Sequence, residues 1–578
     1  MQQNFWQIWI DTGGTFTDCI ARDPSGQSYR LKVLSNSTLR GSCLARISDR
    51  AIRFAAGWPV SKDIFRGYHF HFLNDPDNQL TIDLIDFDQN LIYFEQQVAT
   101  QTGDFAITAG EEAPVLAARL VTSTALNEPL PAMQIRLGST RGTNALLERK
   151  GASCALLITR GFKDLLKIGT QERPDIFNLK IEKPQALYDT IWEIEERIEA
   201  NGNVLQSPCP EHIRKILQKI KASGAESIAI ALMHGFRFRQ HEEMVAHLAR
   251  EEGFHFISVS HQIAPTIKIV PRATTTVINA YLSPVIETYL SRIKSKIGQG
   301  SLKVMSSAGG LFDSQFFTPK DSLLSGPAGG VIGAVAVAEL AGYDQIISFD
   351  MGGTSTDVAR YDKGFDYEFE TKVGDATLMS PCLAIETVAA GGGSVCHYDG
   401  HKISVGPDSA GAWPGPACYG AGGPLSVTDV NLLLGRLDED KFAFPLNKEK
   451  ARAAFEKTYP ASDKGEDILE GFLQIANEKM AGAVRKISVN KGFQTEDYAL
   501  LSFGGAGGQH ACAVAELLNI HTILFPGDAS LLSAFGMGIA QIERVAQIQI
   551  LKPLSDIENE IKSLLNEAIA QAETELGN

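Results

Sequence analysis

Apolar residues in this chain come in short runs punctuated by glycine. "FWQIWI", ahead of Asp11, reads as a buried strand, "TDCIAR" as a second and "YRLKVLS" (Tyr29 to Ser35) as a third. The Gly-Gly turn between the first two therefore closes a hairpin and does not lead into a helix. Over residues 38–130 the pattern weakens. "QLTIDLIDF" and "LIYFEQQVAT" predict strands and "AIRFAAGW" the end of a helix, giving a small β-rich insertion.

Beyond the insertion the period changes. "GSTRGTNALLERKGASCALLITRGF" (Gly138 to Phe162) predicts a polar turn holding Arg141, Thr143 and Asn144. A helix capped by Thr143 and ended by Gly151 follows, then a buried strand "SCALLIT". Glu211–Ala222 and Gln240–Glu252 have helical spacing, with a strand, Ser227–Phe236, between them. This alternation predicts a largely parallel sheet. Leu323–Gly342, rich in Gly and Ala, predicts a closely packed helix, and "DQIISFD" a buried strand entering a second Gly-Gly turn. Asp467–Val489 carries an apolar face at helical spacing, "ALLSFGGAGGQHACAVAELL" reads as strand, glycine turn and helix, and "SAFGMGIA" as a small-residue helix.

Composition narrows the class. With 578 residues the chain is too long for a single core. A net charge of -15 argues against non-specific nucleic-acid binding, which needs Lys and Arg against phosphate. No apolar run is long enough to span a membrane. The eight cysteines are scattered without zinc-finger spacing, which suits reduced thiols in a cytoplasm.

The most informative feature is a repeat. "DTGGTFTD" (Asp11–Asp18) and "DMGGTSTD" (Asp350–Asp357) agree at six of eight positions, 350 − 11 = 339 residues apart. Gly-Gly lets a turn take unusual dihedrals and bring main chain against a ligand. The Thr hydroxyls add donors. Each leading Asp ends a buried strand, where an uncompensated carboxylate is costly and a divalent cation would offset it. One turn per domain, facing across a cleft, would hold a polyphosphate and its Mg²⁺ from both sides. "FGGAGG" (Phe503–Gly508) is a third glycine turn, opening a helix. Asp18 and Asp357 fit either ligand binding or a hairpin-stabilising role. Cys418 is either a nucleophile or a buried thiol. His397 and His401 lie in a Gly-bounded turn and form no metal-ligating helix pair, and Asp429 is expected to cap a helix starting at Val430.

The order of these motifs resembles the actin/Hsp70/sugar-kinase ATPases, with "GPAGGVIGA" and "SAFGMGIA" in the places of the two connecting helices. That resemblance implies an α/β fold of two RNase-H-like domains around a nucleotide cleft. "GTNALLERKGA", "TRGFKDLLKIGTQERPDIFNL", "GGGSVCHYDG", "GPDSAGAWPGPACYGAGGPLSVTDVNLLLGRL" and "SFGGAGGQHA" narrow it to the hydantoinase A/5-oxoprolinase family. "KIGTQ" and "ALMHGFRFRQHE" look closer to the 5-oxoprolinase branch. In family terms residues 1–220 are the N-terminal region, 221–545 the ATPase region and 546–578 a C-terminal helix that the family continues past.

The resemblance implies ATP-dependent opening of 5-oxo-L-proline to L-glutamate, with the γ-phosphoryl passing to the amide oxygen. It also implies a hydantoinase B-type partner and an oligomer. Asp11 and Asp350 would hold Mg²⁺. Thr12, Gly13, Gly14, Thr15, Gly352, Gly353 and Thr354 would bind the phosphates, and Gly504, Gly505 and Gly507 the adenosine. Arg141, Thr143, Asn144, Arg173, Asp408 and Ser409 are candidates for the substrate. Competing expectations are an N-methylhydantoinase or acetone-carboxylase type of subunit acting on a hydantoin or ketone. A third is an actin- or chaperone-like ATPase that uses nucleotide only to switch conformation.

Overall fold

The computed structural model describes residues 5–577 apart from 61, 99–101, 172–176, 178, 181–182, 375, 412, 440–441, 443–445 and 461–464. The chain divides into two units. The first comprises Met1–Ser325, Glu368–Cys382 and Gln541–Asn578, the second Gly326–Tyr367 and Leu383–Ala540.

The first unit is built on a six-stranded sheet in the order Leu311–Asp313, Ser301–Met305, Met133–Ser139, Trp6–Thr12, Phe16–Arg22, Ser28–Leu34. The last three strands are antiparallel neighbours, while Trp6–Thr12, Met133–Ser139 and Ser301–Met305 run parallel. Ile8, Trp9 and Ile10 are all buried, as expected of a central strand covered on both faces. The second unit repeats the plan with Ile385–Val388, Thr356–Asp362, Gln345–Met351, Ala499–Phe503 and Thr522–Leu524. Its first three strands are antiparallel neighbours and its last three run parallel. Three antiparallel strands continued by two parallel ones is the RNase-H-like order, present once in each unit.

Residues 39–108 form a closed barrel of six strands, Leu39–Ser48, Ala51–Ala55, Leu91–Phe94, Asp75–Asp86, His69–Phe72 and Gly103–Thr108, in that order around it. Its inside is filled by rings, among them Phe54, Phe65, Phe70 and Phe105. The helix expected to end in "AIRFAAGW" is a strand instead: Ile52 and Phe54 are buried while Arg53 and Ala55 are exposed, a period of two.

The β/α stretch forms a separate four-stranded sheet, Thr190–Ile194, Cys154–Thr159, Ser227–Ala231, Phe256–Val259, in which every pairing is parallel. The strand expected to reach Phe236 stops at Ala231, because Gly235 N–H turns back to the Leu232 carbonyl and His234 takes a φ of 55°. Two further expectations are corrected. Arg141, Thr143 and Asn144 lie inside a helix, Arg141–Leu147, whose N-cap is Thr140. Thr143 is therefore not the cap. Asp429 is the third residue of helix Val427–Leu433 and shares a capping box with Ser426. Buried, it also accepts the Ala417 and Cys418 N–H groups, which pins the preceding loop.

The helix expected at Leu323–Gly342 runs from Ser325 to Leu340, and that of "SAFGMGIA" from Leu532 to Ile539. They cross at glycines: a Cβ on Gly333 would stand 2.4 Å from the Leu532 carbonyl oxygen. No helix among the described residues is long and apolar enough to cross a membrane.

Candidate functional site

Each repeat folds as the same tight hairpin at the end of the first strand of its sheet. Asp11 pairs with Asp18 and Gly13 N–H donates to Phe16 O at 2.9 Å; Asp350 pairs with Asp357 and Gly352 N–H donates to Ser355 O at 3.0 Å. The expectation of unusual dihedrals is not met, since none of Gly13, Gly14, Gly352 and Gly353 has a positive φ. The glycines matter for space instead. A Cβ on Gly353 would meet nothing within 4 Å, and one on Gly14 only Asn144 Nδ2 at 3.6 Å, so the turn's main chain lies bare.

The outward face of each turn is set by what holds its inward face. In the first unit Ser35 Oγ donates to Gly13 O (2.7 Å) and Ser35 N–H to Thr15 O (2.9 Å). In the second, Gly392 N–H donates to Gly352 O (3.1 Å) and Gly393 N–H to Gly353 O (2.6 Å). Across a trans peptide the N–H points opposite to the C=O. Pinning these carbonyls therefore turns the Gly14, Gly353 and Thr354 N–H groups away from the brace, and adjacent outward N–H groups form an anion-binding nest. Gly391 allows the approach, for a Cβ there would stand 2.7 Å from the Thr354 carbonyl carbon.

The leading carboxylates sit where they were expected, at the ends of buried strands. Asp11 Oδ1 is buried with no hydrogen-bond partner among the described residues. Burial, reinforced by the neighbouring Asp18 charge and opposed by Lys32, pushes the Asp11 pKa up to about 7. A carboxylate so placed is short of positive charge, and a divalent cation fits it. Asp350 is half-buried and lies against Gly504. Gly504 has a φ of 80°, and a Cβ on it would stand 2.4 Å from Asp350 Oδ1, so only glycine serves there. Ala506 N–H donates to Met351 O at 3.0 Å, which binds the "FGGAGG" turn to the strand that carries Asp350. In that turn Gly505 is open, and Gly507 is buried close to Ser502 Oγ.

The trailing acids have partners of their own. Lys32 Nζ stands 2.9 Å from Asp18, and Thr387 Oγ1 donates to Asp357 at 2.6 Å, each from the neighbouring strand. Burial raises both pKa values, while those partners pull them back.

The other expected residues separate. Thr140 N–H and Oγ1 both donate to Thr12 O, docking helix Arg141–Leu147 against the first turn. Asn144 on that helix faces Gly14, but Arg141 is paired with Glu112 (3.0 Å) and stacked on Tyr289, and Thr143 donates to the Leu323 carbonyl. Ser409 Oγ comes within 3.2 Å of the Cβ position of Gly393, beside the second turn, whereas Asp408 is exposed with His397 at 3.7 Å. Arg173 lies outside the described residues. Cys418 is buried and its thiol pushed up by burial and by Asp429, which suits a structural thiol. Among the described residues no group of three or more His, Cys, Asp and Glu side chains gathers as a metal site. The braces themselves, Ser35 and Gly391–Gly393, went unassigned from sequence, although three consecutive glycines were a visible signal.

Comparison with known proteins bears on the family. Residues 272–545 match the family model described as Hydantoinase/oxoprolinase, and residues 87–253 that of the Hydantoinase/oxoprolinase N-terminal region. A 5-oxoprolinase of Saccharomyces cerevisiae is 42% identical over 71% of this chain and 35% of its own length. The chain thus spans about a third of that relative. An uncharacterized protein of Methanocaldococcus jannaschii is 34% identical over 75% of this chain and 68% of its own. Among solved structures, the ATP-dependent caprolactamase from Pseudomonas jessenii superposes with a TM-score of 0.72 at 25% identity, covering 98% of this chain and 76% of that one. The chain belongs to the hydantoinase/oxoprolinase family.

Proposed function

We propose that this chain uses ATP to phosphorylate the amide oxygen of a lactam, 5-oxo-L-proline, as the first half of its hydrolysis to L-glutamate. The observation that carries the reading is the twin hairpin: one turn in each RNase-H-like unit, each with outward main-chain N–H groups beside a strand-ending Asp. Likeness to 5-oxoprolinases, at 42% identity for the yeast protein, supports the choice of substrate.

A lactam resists water because its nitrogen donates into the carbonyl. Attack of the amide oxygen on the γ-phosphorus forms an O–P bond, breaks the bond to the β-phosphate oxygen and releases ADP. Water then adds to the imidate carbon, the ring C–N bond breaks as the nitrogen takes up a proton, and the resulting acyl phosphate is hydrolysed by a second water to L-glutamate and phosphate. The acceptor oxygen carries no proton, so the phosphoryl step needs no general base. Positioning and charge neutralisation carry it. Gly14, Gly353 and Thr354 N–H groups would bind phosphate oxygens, with the Thr12 and Thr15 hydroxyls and Gly13 and Gly352 completing the turns. Gly504, Gly505 and Gly507 would line the adenosine. Asp11 and Asp350 would hold Mg²⁺, which when bound neutralises phosphate charge. Asn144 and Ser409, each beside a turn, are the strongest candidates to touch the acceptor. We assign the later, hydrolytic step to a hydantoinase B-type partner, and place the reaction in the cytoplasm.

The test is ADP release by the purified chain with Mg²⁺, with and without 5-oxo-L-proline, a hydantoin or a ketone. Stimulation by 5-oxo-L-proline alone is expected. Stimulation only by a hydantoin or ketone would reassign the substrate, and turnover indifferent to all three would favour a conformational switch.

A further inference from the structure

In the second unit a path of hydrogen bonds leaves the phosphate turn and returns to it. Gly392 N–H and Gly393 N–H hold the turn's carbonyls, and the Gly392 carbonyl in turn accepts from Thr428 N–H (2.7 Å) and Oγ1 (2.8 Å). Thr428 sits on helix Val427–Leu433. Three residues on, Asn431 Nδ2 donates to His510 Nε2 at 3.1 Å. The other ring nitrogen, Nδ1, donates to Asn477 Oδ1 at 2.7 Å, on helix Gly465–Ile487. His510 N–H bonds the Gly507 carbonyl (3.1 Å), and Ala506 N–H returns the path to Met351, the residue before Gly352.

The imidazole is 1% exposed, and burial drives its pKa down to about 4. It is therefore neutral at physiological pH, with one nitrogen donating and the other accepting. That is what the two asparagines require of it. An ordinary core residue could fill the volume but could not make both bonds.

We propose that His510 is a positioning residue that, through Asn431 and Thr428, locks the second phosphate turn to the glycine-rich turn. Phosphate and adenosine contacts in this unit are thereby set as one rigid body. The inference rests on the nucleotide reading above and adds a residue that touches no nucleotide. His510 acts at a distance, so its loss should fall on the phosphate end more than on the adenosine end, although His510 is closer in sequence to the latter. A side chain that merely supported the glycine-rich turn would do the reverse.

Calorimetric titration of the full chain with a non-hydrolysable ATP analogue plus Mg²⁺, and separately with adenosine, reads this difference. His510→Ala is expected to weaken the analogue about tenfold, the effect of losing roughly one net hydrogen bond, and adenosine no more than about twofold. Thr428→Val, which removes a single hydroxyl at the far end of the path, should show the same selectivity and keeps the test open if His510→Ala does not fold. The double variant should lose no more than the worse single one. His510→Gln, which keeps a donor and an acceptor, should recover part of the analogue's affinity. Equal weakening of analogue and adenosine, or additive losses in the double variant, would overturn the proposal. Wild-type protein that binds neither ligand would instead overturn the nucleotide reading itself.

Discussion

The first and second glycine turns share strand register, the same closing hydrogen bond and the same leading Asp, yet they are held by different means. A side chain shares the bracing of the first with main chain: Ser35 reaches two carbonyls, one through Oγ and one through its N–H. Main chain braces the second, because Gly392 and Gly393 each spend an N–H on it. The carboxylates differ as well. Asp11 shares its surroundings with Asp18 and Lys32, while Asp350 lies under Gly504. What recurs is the outward N–H face; what varies is the scaffold behind it. Conservation of the exposed groups through two unrelated supports is what a shared ligand chemistry would demand, and a merely structural hairpin would not.

The comparison can be broken most forcefully at the acids. Asp11→Asn and Asp350→Asn should each reduce 5-oxo-L-proline-stimulated ADP release by roughly 10³-fold, in line with the loss of a preorganised electrostatic contact. If one of the pair leaves turnover intact, the two turns are not functional equivalents. Next come the glycines that permit close approach. Gly504→Ala and Gly391→Ala should each cost on the order of 10²-fold in kcat/KM, since a misplacement of about 1 Å has that effect. Ser35→Ala should cost less, about tenfold, because it removes one of two bonds and leaves the N–H brace in place. A loss for Ser35→Ala as large as for Gly391→Ala would erase the distinction between the two scaffolds.

A smaller effect sharpens the difference between the acids. With its pKa raised to about 7, Asp11 is protonated in the folded protein below that pH, while in the unfolded chain it ionises near the usual value. Between those two values the folded state binds more protons, so without Mg²⁺ stability falls as pH rises through that window. Asp11→Asn should remove the loss and raise the thermal midpoint of the metal-free protein by a few degrees at neutral pH, even as it lowers turnover. Because a cation must displace that proton, the acid limb of activity should move to lower pH as Mg²⁺ is increased. An acid limb insensitive to Mg²⁺ would separate Asp11 from the cation.

How far these sites could be read from sequence follows from where their contacts lie. Asp11, Gly13 and Phe16 interact within a few residues, so the repeated octapeptide disclosed the hairpins directly. The parallel sheet was legible from the alternation of strand and helix periods, and the connecting helices from their small, apolar composition. The braces were not: Gly393 lies 40 residues beyond Gly353 (393 − 353), and no local pattern announces such a pairing. The helix around Asn144 was entered too late because Thr140, its cap, makes no side-chain capping bond and spends its hydroxyl on Thr12 instead. In the barrel, register shifts at Cys43, Phe70 and Ile82 interrupt the alternation that identifies strands, so its six-strand order was invisible.

The central claim is that both turns offer main-chain N–H groups to the same nucleotide. Hydrogen–deuterium exchange of the full chain, with and without a non-hydrolysable ATP analogue and Mg²⁺, reports on those groups directly. Slowed exchange is expected in the peptides containing Gly14 and in those containing Gly353 and Thr354, at the same ligand concentration. Protection of one turn alone, or of neither under saturating analogue, would contradict the account.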